Sequence, residues 1–310
     1  MLKDIDIIAA GELLIDFISA DFAENLDEVS QFKKLPGGSP ANLAANLARL
    51  GKRVSLVSAV GQDDMGDYLA RYVADLGLDT AHLARVALPT TLILVTRSRQ
   101  VSNFEAYRMA DTQLGAAQFP PAFVARARLF HTTCFALSLE PARSSILTAA
   151  AQAHDAGAQL SIDVNYAAKI WPDQREAQRV VADYCSRGAM VKCSEVDWER
   201  LYGHPLHDNE AAATHFLAQG ASIACLTLGD KGCYVSNGAE AHFLPSRPVA
   251  VRDTTGAGDA FWSGFLSAWL DGAQLLHCAM SGRKMAERKL EHFGPLPGAI
   301  PARDIYVDWA

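Results

Sequence analysis

The alternation of short β-branched apolar runs with longer segments of helical periodicity constrains this sequence more than any other feature. Such alternation is typical of a parallel sheet whose strands are joined by crossover helices. The runs that we expect to form strands are Ile5–Ala10, Val54–Val60, Leu92–Thr96, Leu129–Thr133, Gln159–Val164, Ala189–Cys193, Ser222–Leu228 and Cys233–Ser236. The sequence therefore predicts an α/β fold with one large, doubly wound, mostly parallel sheet.

Length and composition point to a single domain and exclude several classes of function. With 310 residues, half of them hydrophobic, the chain can bury one large core, and we expect one domain over residues 1–310. A net charge of -7 without any Lys/Arg run argues against nucleic acid as a partner.

Six scattered cysteines without a C-x-x-C pair predict neither a zinc cluster nor a disulfide framework. No signal peptide or membrane-spanning stretch is recognisable, so we expect no membrane contact and a cytoplasmic location.

Two segments, residues 12–36 and residues 89–112, do not fit the alternation. The first alternates polar and apolar residues and includes Asp16, and the second contains a strand-like run followed by Phe104–Arg108. We expect them to form a small β-sheet lid over the strand ends where open α/β sheets bind ligands.

The glycine pair Gly37-Gly38 stands directly before the most easily recognised helix. Ser39 is suited to cap that helix, Pro40 to occupy its first position and Gly51 to end it. The pattern therefore places the start of a helix immediately behind two flexible residues.

The strongest chemical signal is the segment Asp253–Phe261, a glycine-containing turn that opens a second helix. Backbone N–H groups of Gly256, Ala257 and Gly258 at a helix N-terminus can hold a phosphate, and the same field keeps Asp259 ionised. Phosphoryl transfer needs both fixed N–H dipoles and one carboxylate that orients the attacking hydroxyl. The alternative interpretation is a sharp strand-to-helix turn that happens to carry an acid.

The order and spacing of several motifs across residues 1–300 resemble those of the ribokinase-like (PfkB-type) sugar kinases. The matching segments are Gly11–Phe17, Gly37–Asn42, Asp163–Asn165, Thr227–Gly232 and Asp253–Phe261. The resemblance implies a three-layer sandwich with a β-sheet lid, and an enzyme that uses ATP and Mg²⁺ to phosphorylate a free sugar. It also implies activation by a monovalent cation such as K⁺ and a homodimer paired through the lids.

The resemblance further implies a role for each matching position. The expected sugar-binding residues are Asp16, Gly37, Gly38, Asn42, Arg108, Asn165 and Asp259. The expected nucleotide-binding residues are Thr227, Gly229, Gly232, Gly256, Gly258, Ser194 and Asp197. Asp259 would be the catalytic base, the amides at 256–258 would form the anion hole, and Asp253 with Thr255 would bind the monovalent cation. For Arg108, an ion pair on the surface of the lid is the alternative.

Family members carry an acidic motif, usually Asn-x-x-Glu, near the water network of the Mg²⁺-phosphate. The corresponding residues here are Ser194-Glu195-Val196-Asp197, in which both end residues are replaced. Asp197 is the favoured acid and Glu195 the second choice, while a solvated acidic helix start is the alternative interpretation.

The resemblance is strongest to fructokinases, which convert fructose to fructose 6-phosphate. 2-Keto-3-deoxygluconate kinase is the runner-up because the segment Asp163–Tyr166 and the following Ile170-Trp171 resemble it. That family usually has Arg after the Tyr, suited to a sugar carboxylate, whereas this chain has Ala167. A nucleoside kinase and a non-catalytic sugar sensor of the same fold are further alternatives.

A basic stripe is predicted on a helix near the C-terminal end of the sequence. Lys284, Arg288 and Lys289 share one helical face, which we expect to be solvated. The alternative is that this face borders the adenine pocket.

Overall fold

The computed structural model describes residues 3–97 and 103–306. The strands in these ranges are β1 (Ile5–Ala10), β2 (Leu14–Ser19), β3 (Phe32–Gly37), β4 (Val54–Gly61), β5 (Leu83–Val86), β6 (Leu92–Thr96), β7 (Asn103–Tyr107), β8 (Ala127–Thr133), β9 (Gln159–Asp163), β10 (Met190–Ser194), β11 (Ile223–Thr227), β12 (Gly232–Ser236) and β13 (Ala241–Pro245). The α-helices are α1 (Ser39–Arg49), α2 (Asp64–Asp75), α3 (Pro121–Val124), α4 (Ala142–Asp155), α5 (Gln174–Cys185), α6 (Glu195–Tyr202), α7 (Asn209–Ala218), α8 (Ala257–Leu270) and α9 (Leu275–Leu290). In the described part of the chain, none of the helices has the length and apolar character needed to cross a bilayer.

The large sheet has the strand order β13-β12-β11-β10-β9-β8-β1-β4-β5. From β11 to β5 neighbouring strands run parallel. Strands β12 and β13 add an antiparallel hairpin at one edge. Because the chain turns from β1 towards β4 and later returns to β8, the strand order reverses beside β1, which is where open α/β sheets form ligand crevices.

The two faces of this sheet bury separate hydrophobic clusters. Ile7 and Ala9 of β1 pack with apolar residues of α1, α2, α8 and α9. Their neighbours Ile8 and Ala10 point the other way and pack with residues of α4, α5, α6 and α7. This period-two division of one strand between two helical layers is what a parallel sheet buried on both faces requires. The predicted three-layer α/β sandwich is confirmed.

The strand predictions agree closely with the structure. β1 and β6 have the predicted bounds, and each of the other predicted strands differs by at most two residues at either end. The short strand β5 and the edge strand β13 were not predicted. β13 alternates exposed and half-buried residues, so it lacks the continuous apolar run that marks the central strands.

The two segments that did not fit the alternation form a separate four-stranded sheet of order β3-β2-β6-β7. β2 pairs antiparallel with β3 and parallel with β6, and β6 pairs antiparallel with β7. The predicted small sheet is therefore confirmed. The chain leaves β1 at Gly11 to form β2 and passes from β3 at Gly37 into α1, so the small sheet stands beside the carboxyl end of β1.

The start of α1 differs from the expected capping. Gly38 occupies the N-cap position with φ 102°, and Ser39 is the first helical residue. The prediction that Ser39 caps the helix was wrong, because its hydroxyl donates to Asp259 of a distant element instead. The helix ends at Arg49, and Gly51 follows at φ 80°, as the sequence predicted.

Candidate active site

One large cleft opens at the carboxyl ends of the parallel strands and has a volume of about 1010 Å³. Strand ends contribute Asp163, Ser194 and Thr227 to its lining, and the start of α8 contributes Asp259. The small sheet adds a second wall. Its residues in the lining are Leu14, Asp16, Ile93, Val95 and Phe104. The topology thus brings the predicted chemical residues to one place between the two sheets.

Asp259 lies in the first turn of α8 and lines the cleft. Its Oδ1 accepts a hydrogen bond from the Ser39 hydroxyl at 2.7 Å, and its Oδ2 accepts one from Asn42 Nδ2 at 2.9 Å. Burial raises the pKa of Asp259, while the two hydrogen bonds and the nearby Lys192 and Lys289 oppose that rise. The carboxylate is therefore held in a fixed orientation, facing a cleft and without an ion pair of its own in the described structure.

The turn before Asp259 has the backbone geometry of an anion cradle. Gly256 takes a left-handed conformation with φ 74° as the N-cap of α8, a conformation that favours glycine. The N–H of Ala257 donates to the Thr254 carbonyl at 3.1 Å and closes the turn. The N–H groups of the first helical turn lack intrahelical acceptors and lie at the positive end of the helix dipole. Gly256, Ala257 and Gly258 all line the cleft.

A buried lysine that the sequence analysis did not select stands beside this cradle. Lys192 lies within β10 and has only 5% of its surface exposed. Its Nζ donates to Asp163 at 2.8 and 3.0 Å, and a Cβ placed on Gly258 would lie 3.0 Å from that nitrogen. Burial would lower the pKa of Lys192, but the carboxylates of Asp163 and Asp197 raise it above its usual value. The ammonium is therefore charged and close to the N-terminus of α8.

The signal for Lys192 was visible in the sequence. A lysine between Val191 and Cys193 interrupts an otherwise apolar strand, and lysine is seldom fully buried unless it is paired. Its partner could not be identified in the same way, because Asp163 stands on a different strand. The register of β9 and β10 pairs the two residues directly.

The opposite end of the cleft carries two carboxyl groups. Asp16 of β2 lines the cleft, and its carboxylate has no hydrogen-bond or ion-pair partner within the described ranges. Burial, with the charges of Asp259 and Asp253, raises the pKa of Asp16 to about 7. Glu12 accepts bonds from the Ser39 N–H and the Thr133 hydroxyl, both at 3.2 Å. Burial raises the pKa of Glu12 to about 8.

The glycine pair before α1 makes room for these carboxyl groups. A Cβ on Gly37 would overlap the Asp16 carboxylate, and a Cβ on Gly38 would overlap the Glu12 carbonyl oxygen. Gly38 lines the cleft, whereas Gly37 does not. The resemblance implied that both glycines contact the sugar; at Gly37 the missing Cβ instead makes room for the Asp16 carboxylate.

Arg108, a predicted sugar-binding residue, lies outside the cleft lining. Its guanidinium pairs with Asp111, and the two side chains are 6% and 0% exposed. It also donates to the Phe135 carbonyl and to Ser138. Since the pair is buried, it is not the surface ion pair considered as the alternative. In this geometry Arg108 supports the segment between β7 and β8.

The predicted nucleotide-binding residues line the cleft together. They are Thr227, Gly229, Gly232, Ser194, Asp197, Gly256 and Gly258. Asp197 forms a capping box with Ser194 at the start of α6, and its Oδ1 accepts the Tyr166 N–H at 3.1 Å. Glu195 pairs with the exposed Lys231 at 2.9 Å. Both acids face the cleft, with Asp197 the more firmly fixed.

Asn165 lies just beyond β9 and takes a positive φ of 27°. Non-glycine residues rarely adopt such a conformation, and where they do the surrounding structure holds them in it. Its N–H donates to Asp163 Oδ1 at 3.3 Å, and the residue lines the cleft. The backbone therefore presents this predicted sugar-binding residue in an uncommon conformation at the strand end.

Asp253 and Thr255, which were predicted to hold a monovalent cation, lie beside a lysine side chain. Asp253 Oδ1 accepts the Thr255 N–H at 3.0 Å, and Asp253 Oδ2 accepts a hydrogen bond from Lys289 Nζ at 3.2 Å. Lys289 is 6% exposed. The prediction that Lys289 lies on a solvated face was wrong, because its ammonium is enclosed between the Asp253 carboxylate and the His292 carbonyl beyond the end of α9.

Comparison with known proteins agrees with the fold. The model of the pfkB family of carbohydrate kinases matches residues 4–302. The chain is 31% identical over 294 residues to an ATP-dependent 6-phosphofructokinase from Thermoanaerobacterium thermosaccharolyticum, covering 95% of this chain and 90% of the relative. It is 36% identical over 259 residues to fructokinase-1 of Oryza sativa subsp. japonica, covering 82% and 80%.

A solved structure with substantial sequence identity is that of Halothermothrix orenii fructokinase. The TM-score is 0.79 and the identity 32%, over 91% of this chain and 96% of that one. The family model, the curated relatives and this structure all extend over most of the chain. The protein belongs to the PfkB family of carbohydrate kinases and is a sugar kinase.

Proposed function

We propose that this sugar kinase is an ATP-dependent fructokinase that converts fructose to fructose 6-phosphate. The observation that carries the proposal is the position of Asp259, fixed by Ser39 and Asn42 at the base of the cleft and adjoining the N-terminus of α8. A carboxylate in that place can accept a proton while the helix N-terminus holds the phosphoryl group. Several fructokinases at 31 to 36% identity support the choice of sugar.

The proposed reaction uses groups of this chain at each step. Asp259 accepts the proton of the primary hydroxyl, whose oxygen then forms a bond to the γ-phosphorus of ATP. The bond from that phosphorus to the bridging oxygen breaks, and ADP leaves with the electron pair. The amides of Gly256 and Gly258 and the Lys192 ammonium stabilise the charge on the transferred phosphoryl group, whereas the Ala257 amide is engaged with the Thr254 carbonyl. Asp259 afterwards releases its proton to solvent.

Two carboxylates of the cleft fit the Mg²⁺ that accompanies ATP. No group of three or more metal-ligating side chains is present in the described residues, which suits an ion bound mainly by phosphates, water and one or two carboxylates. Asp197, or Glu195 as the second choice, would hold it through water. Bound Mg²⁺ neutralises charge on the phosphates.

The acidic character of the sugar end favours a neutral sugar. Asp16 and Glu12 line this end, and none of the described lining residues from the small sheet is basic. A sugar phosphate or sugar acid would place an anion near the Asp16 carboxylate without a compensating arginine or lysine. Ala167 lines the cleft at the position where the keto-deoxygluconate kinases have arginine.

A 6-phosphofructokinase is the second candidate. It is favoured by the 31% identity to the enzyme of that name, which covers 95% of this chain. The lining also includes Arg200, Arg247 and Arg283, which belong to α6, to the segment after β13 and to α9. These three residues would have to reach a sugar phosphate from the side of the cleft that carries Thr227 and Gly229.

A phosphorylation panel tests the choice. The full chain is incubated with Mg-ATP and one acceptor at a time, and ADP release is measured. The acceptors are fructose, fructose 6-phosphate, ribose, tagatose, 2-keto-3-deoxygluconate and adenosine. We expect the highest kcat/KM with fructose. Preference for fructose 6-phosphate would move the assignment to the second candidate, and sugar binding without ADP release would favour a sensor.

Three further features belong to the same proposal. We expect residues 1–310 to act as one kinase domain, with the small sheet as a lid that closes over the sugar. We expect a homodimer paired through the small sheets, which light scattering on the purified protein measures. We also place the enzyme in the cytoplasm, which fractionation of cells that express it would test.

A further inference from the structure

The C-terminal turn of α9 brings a buried lysine to the loop where the resemblance implied a potassium site. Lys289 Nζ lies 3.2 Å from Asp253 Oδ2 and 3.1 Å from the His292 carbonyl oxygen. The side chains of Lys289 and Asp253 are 7% and 4% exposed. The ammonium group therefore donates to one carboxylate oxygen and to one main-chain carbonyl oxygen. A bound monovalent cation would use these same two kinds of ligand.

The residues implied as cation ligands do not fit an additional potassium ion. Asp253 Oδ2 accepts the N–H of Gly294 at 3.2 Å besides the bond from Lys289, and Oδ1 accepts the N–H of Thr255 at 3.0 Å. The ammonium group and both N–H groups therefore already occupy the Asp253 carboxylate oxygens. A second cation would have to displace the ammonium or lie against it, and buried like charges repel strongly. An ammonium group has the charge of K⁺ and a similar size.

Lys289 is also placed where a fixed positive charge can act on phosphoryl transfer. A Cβ built on Gly256 would lie 3.8 Å from Lys289 Cε. The same lysine lines a small cavity of about 30 Å³ with Asp16 and Asn42, which continues towards the sugar end. The charge therefore stands behind the phosphate-binding turn, on the side away from the nucleotide-binding strands.

The lysine is tied to the turn by the backbone as well. Arg252 N–H donates to the carbonyl of Leu290, the residue after Lys289, at 2.8 Å. Beyond the end of α9, the N–H of Gly294 donates a hydrogen bond to Asp253. Any movement of the C-terminal turn of α9 thus moves the turn that leads to Gly256.

We infer that the Lys289 ammonium is a built-in monovalent cation of this enzyme, so that turnover does not depend on added potassium. The inference rests on the proposed kinase activity, but not on which sugar is phosphorylated. It departs from the potassium requirement implied by the resemblance.

The first test uses the unmodified protein. It is dialysed into choline chloride, and turnover of its best acceptor is measured after adding K⁺, Na⁺ or NH₄⁺ at equal ionic strength. We expect K⁺ to change kcat by less than about twofold, below the roughly 5- to 150-fold range usual for coupled sites. A larger activation specific to K⁺ would overturn the inference.

The second test removes the charge. Lys289→Met keeps the length of the side chain and leaves the Asp253 carboxylate open to a cation. We expect kcat in choline to fall by about tenfold or more, and K⁺ or NH₄⁺ to restore at least half of the loss. Unchanged, cation-independent turnover of Lys289→Met would overturn the inference. Lys52→Met, which removes a lysine that pairs with Asp271 outside the cleft lining, is the matched control and should behave like the parent.

A double variant guards against a folding defect. Asp253→Asn combined with Lys289→Met leaves no uncompensated buried charge, so it should fold even where the single variant does not. We expect its turnover to be low and not restored by K⁺, since the carboxylate that would hold the ion is gone. Restoration of the double variant by K⁺ would contradict the role given to Asp253.

The outcome can be separated from a failure of the proposed function. If no acceptor in the panel is phosphorylated, the affinity for ADP is measured by calorimetry in choline and in KCl. The inference then predicts the same affinity in both salts for the parent and a K⁺-dependent affinity for Lys289→Met. K⁺-dependent ADP binding by the parent would overturn it without any turnover assay.

Discussion

The proposed phosphate end of the cleft, with Lys192 and Lys289, and the proposed sugar end, with Asp16 and Glu12, differ in how their buried charges are compensated. At the phosphate end, Lys192 and Lys289 each pair with an aspartate, so both positive charges are held before a ligand arrives. At the sugar end, Asp16 has no partner in the described structure, and Glu12 is bound only by neutral donors. Uncompensated burial raises the pKa of both acids. The phosphate end is therefore preorganised, whereas the sugar end has acceptors that hydroxyl groups of a substrate can satisfy.

The largest expected effect comes from the group that joins the two ends. Asp259→Asn should lower kcat by about a thousandfold, because an amide cannot accept the hydroxyl proton. The dissociation constant for the sugar should change little, since Ser39 and Asn42 can still hold the side chain. Steady-state kinetics and calorimetry measure the two quantities. Asp271→Asn at the other end of α8 is the control, and unchanged turnover of Asp259→Asn would refute the assignment of the base.

The phosphate end is tested by removing one member of its ion pair. Lys192→Met should lower kcat by about 100-fold, because one stabilising charge near the transferred phosphoryl group is lost. It should also destabilise the fold by roughly 3–5 kcal/mol, since Asp163 is left buried without its partner. Denaturant unfolding measures the second effect.

The double variant Asp163→Asn/Lys192→Met separates these contributions. Its stability should return towards that of the parent because no unpaired charge remains buried. Its kcat should stay low. Recovery of both stability and turnover would show that Lys192 acts only on the fold.

The sugar end should show a smaller effect with a characteristic pH dependence. Asp16→Asn should raise KM for the sugar about 10- to 100-fold, the usual range for hydrogen bonds to a charged group. Only the ionised carboxylate accepts from two hydroxyls, and its pKa is raised to about 7. In the parent, kcat/KM should therefore rise from pH 6 to pH 8, and Asp16→Asn should lose this rise. An identical pH profile in both proteins would contradict the role of Asp16.

The smallest expected effect concerns stability at the same end. The pKa of Glu12 is raised to about 8 in the folded protein, so between pH 4.5 and pH 8 the native state holds a proton that the unfolded state has lost. The free energy of unfolding must then decrease as pH rises through this window.

Glu12→Gln removes that dependence. Its amide can donate to Thr133 while its oxygen accepts from Ser39, so both contacts persist. We expect it to unfold with a free energy roughly 1–4 kcal/mol above that of the parent at pH 8, and about equal to it at pH 5. Glu24→Gln, at an exposed position, should show no such difference. Equal stability of Glu12→Gln and the parent at pH 8 would mean that the structure offsets the cost of burying the Glu12 charge.

The sequence predicted those parts of the fold and site that depend on local pattern. Apolar runs located the central strands, and the glycine-containing turn before Asp259 located the start of α8. The resemblance placed most of the predicted residues around one cleft. These features lie within short windows of sequence, where periodicity and turn chemistry decide the structure.

Features that depend on register or on packing between distant segments could not be predicted. Lys192 meets Asp163 only because β9 and β10 are aligned at those two residues. Lys289 lies on a polar helical face by sequence, but in the structure its ammonium meets Asp253 and the His292 carbonyl, both outside α9. Periodicity shows which residues share a face of a helix, and it does not show what packs against that face.

The hydroxyl of Ser39 has a consequence for how this protein can be stabilised. It orients Asp259 from the first position of α1, and the N-cap position preceding it is a glycine whose φ of 102° excludes the usual serine or aspartate cap. The helix start thus forgoes stabilisation of about 1 kcal/mol that side-chain capping gives elsewhere. If Asp259 is the base, as proposed, engineering for thermostability should leave this junction unchanged, because a better helix start would remove the hydroxyl that orients the base.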